Sequence, residues 1–163
     1  MKLFNNAVSV LVILIIGLLI IPLELINDNG SLLKNIVLEY AEQWGLGEGF
    51  VEWFARENHI VSTLVDRIVT GYPRDEAEEF EKRFNYQDNL IDTCEKYNLL
   101  AIEGKEDLAE ILPIHKTRAN VIWTDDITEY RERKLYILNG AHNAIGLAGF
   151  YRGHKYVIDL MRD

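Results

Sequence analysis

The sequence predicts a mainly helical protein with a few short strands, and three observations support this fold class. Apolar residues recur at helical spacing between residues 31 and 44, and a second long helical pattern covers about residues 129–145. The segments between them are short and β-prone, and Gly or Pro interrupts them. With 163 residues, of which 48% are apolar, the chain is long enough to bury a core.

Local signals set the order of the predicted elements. Ser31 is the predicted N-cap of the first helix, and the run Gly45–Gly49 ends it. That run is not a phosphate loop, because it follows a helix instead of joining a strand to a helix. The other predicted elements are a short helix at 50–57, a β-prone run at 60–73, an acidic helix at 74–84, strands at 99–102 and 121–124, and a last helix from about 153.

The stretch from Ala7 to Leu23 carries no charged side chain, and it has three interpretations. A membrane helix needs about 20 apolar residues, so this stretch is borderline. A signal peptide lacks support, since no small-residue cleavage site follows. A buried parallel strand that ends at Pro22 is the third interpretation. The residues by themselves leave the membrane helix and the strand open.

The charge balance and the cysteine content exclude several classes of protein. A formal net charge of −9 repels phosphate backbones, so nucleic acid is not an expected partner, and an anionic small substrate needs a local basic patch. Cys94 is the only cysteine, which rules out an internal disulfide and a zinc site of several thiolates. We expect a reducing cytoplasm, and we expect Cys94 to be a buried, inert thiol on a helix.

The residues with the clearest chemical interest are Lys134, Asn139 and His142. On an α-helix Asn139 lies ~140° and His142 ~80° from Lys134, so the three side chains share one broad face. A lysine can serve as a general base, an amide can bind a developing oxyanion, and a neutral imidazole can hold a hydroxyl. The spacing alone has a second interpretation, in which Lys134 is an ordinary surface charge and His142 is an ordinary helix histidine. Asn139 and Gly140 are poor helix formers, which indicates a functional constraint.

These residues resemble a known catalytic signature. Lys134-x4-Asn139-x2-His142 resembles that of the polyol-specific long-chain dehydrogenases, the mannitol dehydrogenase group, and Val65–Ile68 resembles the group's other signature. Within the family, several stretches resemble most the branch that reduces D-tagaturonate to D-altronate. They are STLVDRIVTGYPRDEAEEF at 62–80, NVIWTDDITEYRERK at 120–134 and IIPLELINDNGSLLKNIVLEYAEQWGL at 20–46. The resemblance covers roughly residues 17–163.

The resemblance implies a role for each matching residue. Lys134 would be the general base, Asn139 would hold the carbonyl oxygen, and His142 would bind a neighbouring substrate hydroxyl. Asp66 and Arg67 would lie near the junction of two domains, at the edge of the substrate and cofactor sites. The resemblance also implies NAD as the cofactor, a small anionic sugar acid as the substrate, and no metal.

The same resemblance implies a domain arrangement. Residues 1–16 do not resemble the family and would be an altered start or a membrane anchor. Residues 17–27 would hold the last strand of a Rossmann-type nucleotide-binding domain, without its usual parallel neighbours. Residues 28–163 would form the start of the helical C-terminal catalytic domain. This arrangement favours the strand at 17–26 over a membrane helix and leaves 7–16 ambiguous.

The sequence departs from the family pattern in ways that limit the expected function. Leu25 takes the place of a second oxyanion-binding Asn of the mannitol branch, and His59 lies where the signature is followed poorly. No Gly-x-Gly-x-x-Gly motif follows a strand, so we expect the chain by itself to be inactive. Fructuronate reductase and polyol dehydrogenase are the enzymatic alternatives. A non-catalytic remnant, truncated or anchored to a membrane, is the alternative of another class.

Overall fold

The structure is a computed structural model, and it describes residues 17–162. Its helices are α1 (Asn29–Gln43), α2 (Glu48–Glu57), α3 (Ala77–Phe84), α4 (Glu106–Ile111), α5 (Thr128–Glu132), α6 (Gly140–Arg152) and α7 (Val157–Arg162). Its strands are β1 (Leu19–Ile20), β2 (His59–Ile60), β3 (Ser62–Asp66), β4 (Val69–Gly71), β5 (Thr93–Cys94), β6 (Leu99–Glu103) and β7 (Val121–Thr124). A π-helical segment, Arg133–Asn139, connects α5 to α6. Helices with short strands between them are what the sequence predicts.

A mixed three-stranded sheet forms the centre of the described chain, in the order β3-β6-β7. β3 and β6 run antiparallel, with Leu64 opposite Ala101, and β6 and β7 run parallel, with Ile102 opposite Trp123. β1 pairs with β2 in parallel, and β4 pairs with β5 in antiparallel fashion. The β-prone run at 60–73 therefore becomes three short strands, because Val61 and then Arg67–Ile68 interrupt the pairing.

The two faces of the central sheet pack against different partners. Val61, Ile102 and Leu108 form one buried cluster, which α4 helps to cover. Leu64 and Ala101 form the other with Ile127, and Tyr130 of α5 packs against it. Because side chains alternate across a strand, Asp66 lies on the same face as Leu64. The sheet thus brings α5 and the π segment over the end of β3.

The start of α1 corrects one prediction. The helix begins at Asn29, not after Ser31, and Leu32 N–H donates to the carbonyl oxygen of Asp28. Ser31 is therefore inside the first turn and is not the N-cap. Asn29 is buried, with 4% of its surface exposed, because its side chain bonds to residues outside the helix. The predicted end of the helix is confirmed, since α1 stops at Gln43 and Gly45 follows with a left-handed φ of 64°.

The described part of the apolar N-terminal stretch is extended and short. The predicted strand at 17–26 is confined to Leu19–Ile20, and it pairs in parallel with β2 of the same chain. Leu23 and Leu25 beyond it are exposed. The ambiguous segment 7–16 lies outside the described residues. Within residues 17–162, helices fall short of the length and apolarity that crossing a membrane requires.

The prediction for Cys94 is wrong on both counts. Cys94 is exposed and lies in β5, where it pairs with Val69 of β4. The β4-β5 ladder lies apart from the three-stranded sheet. Nothing therefore buries its side chain, and the helix expected around it is an extended segment.

Candidate functional site

A pocket of about 270 Å³ opens where three segments meet near the end of β3. Its lining comes from the loop before α1, from β3, and from the helical run that begins at α5. The lining residues are Glu24, Leu25, Ile26, Asn27, Asp28, Thr63, Leu64, Val65, Ile127, Arg131, Lys134, Leu135 and Asn139. Two of the three residues that the sequence singled out, Lys134 and Asn139, are in this pocket.

Lys134 is held at the base of the pocket by the end of β3. Its Nζ donates to the carbonyl oxygen of Val65 at 2.5 Å and lies 3.7 Å from Oδ1 of Asp66. The Lys134 and Asp66 side chains are only 12% and 11% exposed, respectively. An amine fixed in this way differs from a freely moving surface lysine. The interpretation of Lys134 as an ordinary surface charge is therefore wrong.

The π segment explains why Lys134 and Asn139 share the pocket. A regular α-helix would point them ~140° apart. The π hydrogen bond spans five residues instead of four, so two residues five positions apart point in more similar directions than they do on an α-helix. Lys134 and Asn139 are five positions apart within Arg133–Asn139. The predicted α-helix at 129–145 is interrupted here, and the poor helix formers Asn139 and Gly140 mark the end of the interruption.

His142 lies outside the pocket, one turn further along α6. Its side chain is exposed, and its Nδ1 is 2.8 Å from the carbonyl oxygen of Leu138, so the ring bonds back to its own helix. The expectation that three side chains share one face is met by Lys134 and Asn139 only. His142 is absent from the pocket lining, and its hydrogen bond to Leu138 keeps the ring against its own helix.

Asp66 and Arg67 are adjacent in sequence but face different parts of the molecule. Asp66 is buried under the π segment, where it pairs with Lys134. Arg67 is exposed and donates from Nε and Nη2 to the carbonyl oxygen of Glu95, at 3.2 and 3.1 Å. Side chains alternate along a strand, so the two point to opposite sides. Asp66 belongs to the candidate site, and Arg67 instead connects the end of β3 to the segment after β5.

Asp28 and Arg131 are site residues that the sequence analysis missed. Nη1 of Arg131 donates to Oδ1 of Asp28 at 2.8 Å, and both residues line the pocket. The two residues are 103 positions apart. Only the local turn character of Asp28 is visible in the sequence, so no sequence pattern predicts the contact.

Asp126 fixes the start of the helical run that carries the site. Its Oδ1 accepts a hydrogen bond from the backbone N–H of Thr128 at 2.7 Å. Hydrogen bonds from Thr128, first from its side chain and then from its backbone, hold the pKa of Asp126 below its usual value of 3.8, with a smaller contribution from Arg131. A charged Asp126 therefore stabilises the first turn of α5.

Metal-ligand groupings and glycine runs are the two features that could mark a cofactor site in the described residues. Within residues 17–162, no three His, Cys, Asp or Glu side chains are grouped so that they could hold a metal ion. The run Gly45–Gly49 connects α1 to α2, whereas a pyrophosphate-binding turn connects a strand to a helix. This glycine run is therefore not a pyrophosphate-binding turn.

Comparison with protein families gives a match over most of the chain. Residues 13–116 match the family model described as the mannitol dehydrogenase Rossmann domain. This match extends well beyond residue 27, so the predicted end of the nucleotide-binding domain at that position is not confirmed.

Curated relatives and a solved structure agree with this family. Altronate oxidoreductases of Shigella flexneri and of Shigella sonnei are each 47% identical to this chain over 147 residues, which is 90% of this chain and 30% of theirs. A mannitol 2-dehydrogenase of Pseudomonas fluorescens, solved as a ternary complex with NAD and D-mannitol, superposes with a TM-score of 0.58 at 22% identity. That match covers 89% of this chain and 28% of the other. The chain thus spans about 30% of the length of its curated relatives.

Proposed function

This chain belongs to the mannitol dehydrogenase family, and from that premise we propose that it carries the substrate side of an NAD-dependent sugar-acid oxidoreductase. The proposed reaction interconverts D-tagaturonate and D-altronate. The altronate oxidoreductases that are 47% identical to this chain support this choice of substrate. The observation that carries the proposal is the shared position of Lys134 and Asn139 in one pocket.

Lys134 is the proposed general base. Its amine lies at the base of the pocket, where a substrate hydroxyl can reach it, and the Val65 carbonyl oxygen fixes its direction. In the oxidation direction the neutral amine takes the hydroxyl proton, and in the reduction direction the ammonium returns a proton to the same oxygen. Since Asp66 and Val65 hold the amine already, little side-chain entropy is lost when the substrate binds.

Asn139 is the proposed oxyanion donor. Asn139 lines the same pocket, and its amide N–H can donate to the substrate oxygen as negative charge develops there. His142 enters the proposal from the family resemblance, as a residue that binds a neighbouring hydroxyl. To do so, its ring has to leave the carbonyl oxygen of Leu138 and turn towards the substrate.

NAD is the proposed cofactor because the chain matches the mannitol dehydrogenase Rossmann domain and resembles an enzyme solved with NAD. The run Gly45–Gly49 is not a pyrophosphate-binding turn, so the roles proposed here concern the substrate oxygen alone. For the same reason we propose that the chain by itself does not turn over NADH, because hydride transfer requires a nicotinamide held close to the substrate carbon.

Leu25 favours the sugar-acid branch over the mannitol branch. The mannitol branch has an Asn at this position by resemblance, and here an apolar side chain that is 79% exposed lines the pocket instead. Leu25 cannot donate a hydrogen bond to an oxyanion. Fructuronate reductase and polyol dehydrogenase remain the enzymatic alternatives, and they differ from the proposal in substrate only.

A chimera tests the proposal. Residues 17–162 replace the matching segment of the Shigella flexneri altronate oxidoreductase, and NADH oxidation is followed with D-tagaturonate, D-fructuronate and D-fructose. We expect the chimera to reduce D-tagaturonate best, and we expect the isolated 163-residue chain to give no turnover. A folded chimera without activity, next to an active parent enzyme, would support the non-catalytic alternative. A preference for D-fructose would move the assignment to the polyol branch.

A further inference from the structure

The pair Asp28–Arg131 lies at the pocket and is not used by the steps proposed above. Arg131 precedes Lys134 by three positions, so the two cationic side chains are neighbours on one side of the helical run. Each is paired with a carboxylate in the free protein, Arg131 with Asp28 and Lys134 with Asp66. We propose that Arg131 binds the carboxylate of the sugar-acid substrate and that Asp28 occupies the guanidinium until the substrate replaces it. This inference rests on the proposed function and adds the residue that selects an acid over an uncharged polyol.

The Arg131 guanidinium has donors left for a ligand. Nη1 bonds to Asp28 at 2.8 Å, and Nη2 reaches Oγ1 of Thr128 at 3.4 Å, which is long for a hydrogen bond. A guanidinium carries five N–H groups in a planar fork, and these two bonds use two of them. A carboxylate is planar and can accept two parallel bonds from such a fork.

Asp28 is a partner that can be displaced at low cost. Its side chain is 64% exposed, and that of Arg131 is 24% exposed. An ion pair with one partner so open to water adds little to stability. A substrate carboxylate that enters the pocket therefore exchanges one anionic partner of Arg131 for another. The carboxylate of Asp28 also keeps the cation neutralised in the free protein.

Calorimetric titration of the full chain with a matched pair of ligands tests the inference. D-Altronate carries the carboxylate, and D-altritol has a hydroxymethyl group in its place. We expect altronate to bind the wild type at least about tenfold more tightly than altritol. Arg131→Gln should weaken altronate binding by about 10- to 100-fold and change altritol binding by less than about threefold. Arg131→Lys keeps the charge without the fork, so a loss of about three- to tenfold is expected.

Two further variants separate the proposed roles. Asp28→Asn removes the competing charge, and Asn tolerates the positive φ of 50° at this position, so altronate should bind about two- to fivefold more tightly. Arg133→Gln is the control, because Arg133 lies over the Tyr130 ring and is not part of the pocket lining. It should leave both affinities unchanged.

The outcomes distinguish this inference from the proposed function. If Arg131→Gln still prefers altronate over altritol as strongly as the wild type does, the inference is overturned and the proposed function stands. The same holds if Arg133→Gln loses as much affinity for altronate as Arg131→Gln does. If the wild type binds neither ligand, the proposed function falls and this inference falls with it.

Discussion

Asn29 and Thr63 exchange hydrogen bonds in both directions. Nδ2 of Asn29 donates to Oγ1 of Thr63 at 3.1 Å, and the backbone N–H of Thr63 donates to Oδ1 of Asn29 at 2.9 Å. Nδ2 of Asn29 also lies 3.1 Å from the carbonyl oxygens of Pro22 and Glu24. One buried amide therefore connects the loop that lines the pocket to the strand at its base.

Asn29→Ala should destabilise the protein. The substitution leaves the N–H of Thr63 without its acceptor in a buried position, which should lower the free energy of unfolding by about 1–3 kcal/mol. Urea denaturation measures the change. Asn35→Ala, at an exposed position of the same helix, is the control and should change the stability by less than about 0.5 kcal/mol. Equal effects at the two positions would show that the network is not important.

Gly30→Ala should also destabilise the protein, for a steric reason. A Cβ atom at Gly30 would lie 2.4 Å from the carbonyl oxygen of Val61, so α1 would have to move away from the sheet. We expect a loss of about 1–3 kcal/mol. Gly146→Ala in α6 is the matched control, because nothing lies within 4 Å of a Cβ atom there. It should stabilise the helix by about 0.5–1 kcal/mol. Thermal melts should therefore show a lower melting temperature for Gly30→Ala and a higher one for Gly146→Ala. Changes in the same direction would contradict the steric explanation.

Lys134→Met should abolish most of the chemistry in the active chimera while NADH binding persists. A general base contributes mainly where a proton moves, so we expect kcat to fall by about 10²–10⁴-fold. Lys134→Arg should rescue little, because a guanidinium stays protonated and cannot accept a proton. Met at this position leaves the Asp66 carboxylate buried without its partner, so the double variant Lys134→Met, Asp66→Asn serves as the folding control. Near-normal kcat in the Arg variant would refute the role of Lys134.

Asn139→Ala should be the milder catalytic variant. Removal of one oxyanion donor should lower kcat by about 10²–10³-fold. Because the effect falls on the transition state, KM should change much less than kcat. Steady-state kinetics of the chimera measure both constants. A rise in KM at constant kcat would make Asn139 a residue that binds the substrate and does not act on its reacting oxygen.

Asp126 should titrate below its usual pKa of 3.8, since hydrogen bonds from Thr128 lower its pKa. A carboxyl with a depressed pKa contributes stability above the unfolded value, and that contribution is lost as the pH falls through the folded value. Carbonyl chemical shifts of Asp126 measured between neutral and acid pH give the midpoint. Thr128→Val removes the side-chain donor and should raise the pKa of Asp126 towards its ordinary value. A wild-type midpoint at or above 3.8 would contradict the capping role.

The sequence by itself determined the family and several local elements of the fold. Helical periodicity predicted α1, β-prone runs predicted β6 and β7, and the glycines after Trp44 predicted the end of α1. These signals are local, because a few neighbouring residues set backbone preference and turn chemistry. The resemblance to the family is confirmed by the family match over residues 13–116 and by the 47% identical relatives. The roles of Lys134 and Asn139 stay predictions.

Only the tertiary structure decided which residues meet. The pairing of Arg131 with Asp28 and of Asn29 with Thr63 joins distant parts of the chain, and no local preference encodes such contacts. The same holds for the π segment, which contains both Lys134 and Asn139, and for the pocket, which both of them line and His142 does not. A helix buries its side chains by packing against the rest of the fold, so the sheet beneath α5, more than the sequence of the helix, determines which of them face the pocket.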